Sequence, residues 1–186
     1  MRAQCYALLG RLLARAPEAG FLAEIGRFGC DDTVFGQAMM RLTKAAQGTD
    51  ADAVAAEYDA LFIGVGRGEL VPYASYYLTG FLNERPLAHV REDMARLGVT
   101  RADETSDPED HIASLCEIMA GLIVGTFGEP ASLAEQQRFY DRHLARWAGR
   151  FFADLEAARS VSFYKPVGGI GGLFMAIEAD GFKLAA

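Results

Sequence analysis

The sequence is poor in cysteine, with three residues in 186, and no two of them are close in the chain. An odd number at such spacings excludes a disulfide framework and a zinc knuckle of the CxxC type. Cys116 lies in an apolar helical pattern, so we predict that it is a small buried hydrophobic residue. The three histidines are equally scattered, and none has a ligand partner at HxxxH spacing. We therefore predict no metal site.

Long hydrophobic runs are also missing. The longest run in the body of the chain, Ile118–Val124, is far shorter than a membrane span. The N-terminal segment interrupts its apolar residues with Arg11 and Arg15, and it lacks the continuous apolar core of a secretory signal. These absences predict a cytoplasmic protein with reduced thiols and no stable membrane insertion.

The chain has no excess of basic residues. It carries 18 lysines and arginines against 25 acidic residues, for a net charge of −7. This balance argues against nucleic-acid binding, which needs a basic face, and it permits a basic peptide partner. Half of the residues are hydrophobic, and 186 residues suffice for one good core but not for two comfortable domains.

Recognisable catalytic motifs are absent as well. No serine stands in a nucleophile elbow, and the glycine clusters Gly64–Gly68 and Gly168–Gly172 lack the lysine and hydroxyl of a phosphate loop. Such clusters are more typical of turns or close backbone approaches. Asp110 and His111 would make a poor acid–base pair, because adjacent helical residues point about 100° apart. We predict a protein that is not an enzyme and has no cofactor. A nucleotide-binding switch or an enzyme that uses these glycine clusters and Asp110–His111 is the alternative.

Helical periodicity is present almost throughout, and the alternation typical of strands is not. The spacing predicts one long helix over about 132–158, with Trp147 in the core, and shorter helices over about 51–62 and 74–83. Gly98 is expected to end the helix that Pro86 restarts.

The stretch that follows, "VTRADETSDPEDH", is polar, acidic and proline-bearing. It predicts a hinge at about 100–108, before the C-terminal helices. Asp107 is expected to be the N-cap of the next helix and Pro108 its first residue. We predict an all-α, single-domain helical bundle over 1–186.

The stretch Leu61–Gly80 combines the glycines and proline of a loop with unusual apolar and aromatic content. Tyr58, Leu61 and Phe62, spaced i, i+3, i+4, are normally core residues. The tyrosines at 73, 76 and 77 can also be core, with their hydroxyl groups reaching outward. This composition suits a binding module better than an enzyme.

Three stretches taken in order resemble the TorD/DmsD/NarJ family of redox-enzyme maturation chaperones, from about Tyr6 to Ala158. They are "YDALFIGVGRGELVPYASYYLTGFLNERPLA", "DPEDHIASLCEIMAGL" and "FYDRHLARWAGRFFADLEAA". The second resembles the family's Pro-x-Asp-His hinge motif. Tyr73 stands where many members carry tryptophan, and the tail after Tyr164 is richer in glycine than the family norm.

The resemblance implies a TorD-like all-helical fold and a cytoplasmic chaperone for the precursor of a molybdenum-containing oxidoreductase. Such a chaperone binds the precursor, often by its twin-arginine leader, until the cofactor is inserted. The client that the resemblance suggests is a formate dehydrogenase or a DMSO reductase family enzyme. For the oligomeric state, the sequence is compatible with a monomer and with a domain-swapped homodimer. A further alternative is a structural subunit whose aromatic stretch is buried in an oligomer. The client-binding residues implied by the motifs are Tyr58, Leu61, Phe62, Pro72, Tyr73, Ser75, Asp110 and His111.

Overall fold

The computed structural model describes residues 1–29, 31–64, 67–100 and 107–185. These residues are mostly helical and form no strand beyond an isolated bridge, which confirms the all-α class. The α-helix that ends at Tyr58 runs directly into a π-helical turn, Asp59–Ile63. The α-helices are α1 (Arg2–Ala14), α2 (Ala19–Ile25), α3 (Val34–Gln47), α4 (Ala51–Tyr58), α5 (Ala74–Thr79), α6 (Arg85–Leu97), α7 (Ile112–Val124), α8 (Leu133–His143), α9 (Ala148–Ala157) and α10 (Tyr164–Ala185).

The chain divides into two compact units, and each is built from two separate segments. Unit 1 contains Met1–Ala14 and Pro72–Ala148, and unit 2 contains Arg15–Val71 and Gly149–Ala186. Neither unit is therefore a contiguous stretch of sequence. The single-domain organisation remains a prediction.

Unit 1 is organised around α1 and α7, which form its most extensive helix pair. Gly10 permits their close approach, because a Cβ there would lie 2.9 Å from Cγ of Glu117. The apolar face of α1, with Leu9 and Leu12, is buried. Cys116 is fully buried, which confirms the prediction made for it, and burial raises the pKa of its thiol.

Unit 2 packs α10 on α3 and, at its glycines, on α9. A Cβ at Gly168 would lie 2.6 Å from the amide nitrogen of Glu156, and one at Gly171 would overlap the Phe152 ring. The cluster Gly168–Gly172 is thus a close backbone approach inside a helix, as one of the two interpretations predicted. The other interpretation, a turn, is wrong at this place.

The prediction of one helix over 132–158 is wrong, because a break separates α8 from α9. The amide of Ala145 donates to the carbonyl of Tyr140 at 2.9 Å, so the regular i to i−4 ladder is interrupted. The indole nitrogen of Trp147 donates to the carbonyl oxygen of His143 at 2.7 Å. A side chain thereby satisfies a carbonyl group that a continuing helix would use.

The predicted N-cap at Asp107 is also wrong. α7 begins after His111, whose Nδ1 accepts a hydrogen bond of 3.1 Å from the amide of Ala113. The carboxylate of Asp107 accepts instead from the hydroxyl group of Tyr73, at 2.7 Å. The Asp107 side chain, which the local sequence predicts to be a helix cap, is therefore used in a tertiary contact with Tyr73 instead.

Two further helices are shorter than predicted. α5 ends at Gly80, which adopts φ +86°, and α4 gives way to the π-helical turn after Tyr58. Gly98, with φ +69°, ends α6 as predicted. Within the predicted hinge at 100–108, residues 101–106 lie outside the described residues. None of the helices described is both long and apolar enough to cross a membrane.

Candidate functional site

A β-bridge between Tyr73 and His111 joins the segment before α5 to the segment before α7 in unit 1. Two backbone hydrogen bonds, of 3.0 and 2.9 Å, flank this antiparallel pair. The bridge brings together residues that are more than thirty positions apart in the sequence. Five of the predicted site residues meet here: Pro72, Tyr73, Ser75, Asp110 and His111.

Asp110 is completely buried, and its carboxylate caps α5. Oδ2 accepts a hydrogen bond of 2.8 Å from the amide of Ser75, while Tyr73, the N-cap residue of α5, provides no side-chain cap. The other carboxylate oxygen, Oδ1, and Oγ of Ser75 are buried without a partner among the described residues. The carboxylate therefore faces the interior, where it holds two segments together.

His111 is 5 % exposed and lies edge-on to the Tyr73 ring, with 4.9 Å between the ring centroids. Burial lowers its pKa to about 4, although the carboxylates of Asp107 and Asp110 act in the opposite direction. The imidazole is consequently neutral near pH 7. Since Nδ1 accepts from the backbone, the proton of the neutral ring resides on Nε2. This bonding gives no support to an Asp110–His111 acid–base pair.

The other three predicted residues, Tyr58, Leu61 and Phe62, belong to unit 2, where the two aromatic ones form a cluster with Tyr164. The ring centroids of Tyr58 and Phe62 are 4.9 Å apart, and each lies within 6.0 Å of the Tyr164 ring. Leu61 is fully buried, whereas Tyr58 and Phe62 are half-buried. Both oxygens of the Glu57 carboxylate accept backbone amides at the start of α10. Only the rings of Tyr58 and Phe62 can present surface to a partner here.

A groove of about 580 Å³ in unit 1 was not predicted from the sequence. It runs along the faces of α1 and α7 and reaches the end of α6. The signal that could have found it is the small residues at helical spacing on both helices. Its lining includes Ala3, Ala7, Arg11, Met94, Val99, Asp107, Glu109, Ser114, Glu117, Ile118, Ala120, Gly121, Val124 and Phe127.

A buried ionic network around Asp93 was also not predicted. Its carboxylate accepts hydrogen bonds from Arg96 on α6 and from Arg142 and His143 on α8, at 2.8 to 3.1 Å. Burial acts to raise the pKa of Asp93, but these hydrogen bonds outweigh it and hold the pKa below its usual value. Burial lowers the pKa of His143 despite the adjacent carboxylate. The network ties α6 to α8.

Comparison with protein families identifies one match over much of the chain. The model described as the nitrate reductase delta subunit matches residues 29–153. This range contains both clusters of predicted site residues and the Asp93 network.

Curated relatives carry the name "Chaperone protein TorD". That of Aliivibrio fischeri is 28 % identical over 152 residues, which is 76 % of this chain and 70 % of that protein. That of Vibrio cholerae is 32 % identical over 105 residues, which is 53 % of this chain and 48 % of that protein. The chain thus spans between about half and 70 % of the length of these relatives. They are named as chaperones, which supports the prediction that this chain is not an enzyme.

A solved structure shares the fold. A protein from Archaeoglobus fulgidus described as a redox enzyme maturation protein aligns with a TM-score of 0.63 at 19 % identity. The alignment covers 95 % of this chain and 94 % of that one. The TorD-like helical fold implied by the sequence motifs is therefore confirmed.

Proposed function

Since the chain belongs to the family of the nitrate reductase delta subunit, the TorD/NarJ family of redox-enzyme maturation chaperones, we propose that it is a chaperone for the precursor of a molybdenum-containing oxidoreductase. In this proposal it works in the cytoplasm and holds the precursor until the cofactor is inserted. Release then permits export or assembly. The observation that carries the proposal is the alignment with a named TorD chaperone over 76 % of the chain.

The proposed target on the precursor is its twin-arginine leader, and the proposed client is a formate dehydrogenase or a DMSO reductase family enzyme. A leader offers two cations, an apolar segment and little structure of its own. Half-buried rings can receive the apolar segment, and the net charge of −7 favours the cations.

The proposed client-binding residues divide into two roles according to their burial. Tyr58, Phe62 and Tyr73 are half-buried and can contact a partner directly. The remaining five are buried and would act by positioning the segments that carry those rings. They are Leu61, Pro72, Ser75, Asp110 and His111.

The expected affinity is modest. Burying roughly 400 Å² of apolar surface contributes on the order of 10 kcal/mol before costs. Ordering a flexible peptide costs about 2–5 kcal/mol, and the loss of free tumbling costs more. The remainder corresponds to binding no tighter than roughly micromolar, which suits a chaperone that must release its client.

Co-expression with candidate precursors tests the proposal. The tagged chain is expressed with each molybdoenzyme precursor of its own host, either complete or without its leader. We expect the cofactor-free complete precursor to co-purify and the mature, cofactor-loaded enzyme not to.

Two outcomes would contradict parts of this proposal. Failure to retain any molybdoenzyme precursor would exclude the chaperone function. Equal retention of the complete and leaderless precursors would exclude the leader as the target. Phe62→Ala should weaken retention, while Val34→Ala, which shortens an exposed side chain on α3, serves as the control.

A further inference from the structure

The groove along α1 and α7 has small residues on both of these helices, which leave space between the larger lining side chains. Ala3 and Ala7 face it from α1, and Ser114 and Gly121 face it from α7. At Gly121 a Cβ would overlap the Phe127 ring, so that ring lies against the helix backbone and forms one end of the lining. A volume of about 580 Å³ is typical of a ligand pocket. It can receive several side chains of a partner but not a folded domain.

Among the described residues that line the groove, acidic side chains outnumber basic ones: Asp107, Glu109 and Glu117 are acidic, and Arg11 is basic. Glu109 pairs with Arg91 at 2.9 Å, and Asp107 accepts from a tyrosine hydroxyl.

Glu117 differs from the other two acids. Within the described part of the chain, its carboxylate has no hydrogen bond or ion pair. Burial raises the pKa of Glu117, so the carboxylate has already lost part of its hydration. A carboxylate in this position is left without compensation until an opposite charge arrives.

The acidic lining and the unpaired Glu117 carboxylate together indicate which kind of segment can bind in the groove. An anionic segment would be repelled, and a purely apolar one would bury Glu117 further without pairing it. A segment with a cationic side chain beside apolar ones satisfies both the carboxylate and the apolar floor formed by Met94 and Ile118.

We propose that the α1–α7 groove docks a client segment that carries an arginine or lysine next to several apolar side chains, and that Glu117 pairs with the cation. The proposal rests on the proposed chaperone function, and it assigns recognition to a surface distinct from the Tyr58–Phe62 cluster. The cation binds outside the folded core, while Asp110 and His111 stay internal.

A peptide titration tests the assignment. The probe is a labelled synthetic peptide with two adjacent arginines followed by a leucine-rich segment, and its binding to the full chain is measured by fluorescence anisotropy. We expect Glu117→Gln to weaken binding about threefold and Glu117→Lys about tenfold. Ala7→Phe, which fills the groove without changing charge, should weaken it to a similar extent. Replacing both arginines of the peptide with glutamine should remove the difference between wild type and Glu117→Gln.

Matched variants control for net charge and for folding. Glu129→Lys makes the same charge change at an exposed residue outside the lining, and Ala14→Phe adds the same ring at the end of α1. Both should bind the peptide as the wild type does. Circular dichroism of each variant establishes that the helices are intact, and Glu117→Gln keeps the side-chain shape beside Gly10.

Wild-type affinity in both Glu117→Lys and Ala7→Phe would overturn the groove assignment, as would a wild type that does not bind the peptide. If those variants still retain the precursor in the co-expression experiment, the chaperone function stands and the groove is excluded. If sedimentation shows a dimer of this chain that Ala7→Phe abolishes, the groove belongs to self-association and the proposal fails.

Discussion

Replacing Gly168 with alanine should destabilise unit 2 by an amount that can be worked from the geometry of α9 and α10. The new Cβ would lie 2.6 Å from the amide nitrogen of Glu156 and 2.8 Å from the carbonyl oxygen of Phe152, whereas ordinary contacts begin at 3.4 Å. Both neighbours are main-chain atoms of a helix. No rotation of a side chain can relieve the overlap, so the two helices must move apart.

The magnitude follows from two opposing terms. Overpacking costs typically 1–3 kcal/mol, and a shift of helix backbone belongs near the upper end, at about 3 kcal/mol. Alanine in a helix interior is favoured over glycine by about 1 kcal/mol, which offsets part of that cost. The net loss is about 2 kcal/mol. For a chain of this size, this corresponds to a melting temperature roughly 4–8 °C below that of the wild type.

Two other glycines of α10 supply the controls. At Gly172 the nearest atom to a new Cβ is 3.8 Å away, and at Gly181 nothing lies within 4 Å. Alanine at either position should therefore stabilise the protein by up to about 1 kcal/mol through helix propensity alone. Thermal and urea unfolding followed by far-UV circular dichroism measures all three variants. If Gly168→Ala melts at or above the wild-type temperature, or together with the two controls, the close approach of α9 and α10 at this residue is wrong.

Three further predictions concern unit 1. Asp93→Ala should lower the free energy of unfolding, measured by urea titration, by at least about 3 kcal/mol, because Arg142 and His143 lose a shared buried acceptor. The control is Glu92→Ala, which removes an exposed partner of Arg142 and should cost less than about 1 kcal/mol in the same titration. Because the pKa of His111 is about 4 when folded and about 6.5 when unfolded, the unfolded chain binds more protons between these values. The free energy of unfolding should thus fall by up to about 3 kcal/mol as the pH drops from about 6.5 to 4. His111→Gln should reduce this pH dependence, whereas His89→Gln, at an exposed residue, should not. A wild-type free energy of unfolding that does not change over this pH range would contradict the buried neutral ring. Tyr73→Phe should cost about 1 kcal/mol through loss of the hydrogen bond to Asp107, and a urea midpoint unchanged from wild type would exclude that contact.

The all-α class and several helix boundaries could be predicted because they depend on local chemistry. Helical spacing places Leu9 and Leu12 on one face, and that face is buried. Gly98 ends α6 because it can adopt positive φ without steric cost. These features need no knowledge of distant residues, so the sequence pattern suffices to find them.

The errors arise where a side-chain hydrogen bond competes with the local pattern. Asp107 is of a residue type that commonly forms N-caps, but its carboxylate accepts a hydrogen bond from the hydroxyl group of Tyr73, which lies 34 residues away in the sequence. The segment between α8 and α9 has continuous helical spacing, yet Trp147 donates its indole proton to the carbonyl of His143 and ends the ladder. Hydrophobic spacing alone reveals neither hydrogen bond.

The same distinction applies to the predicted site. The Asp-His motif resembles a functional signature, but its geometry imposes structural demands on both residues. The acid must cap α5 through the amide of Ser75, and the imidazole must accept the amide of Ala113. A motif of this kind identifies the fold, because a buried hydrogen bond requires particular atoms at particular positions.

A docking surface makes looser demands on the sequence. The α1–α7 groove needs small residues that leave space and a carboxylate that can pair with a cation, and several residue combinations meet those needs. The groove is consequently visible in the arrangement of Ala7, Gly121 and Glu117 but not in a short motif. Sequence resemblance therefore assigns this chain to a chaperone family, whereas the proposed docking of a client segment rests on where these side chains lie in the structure.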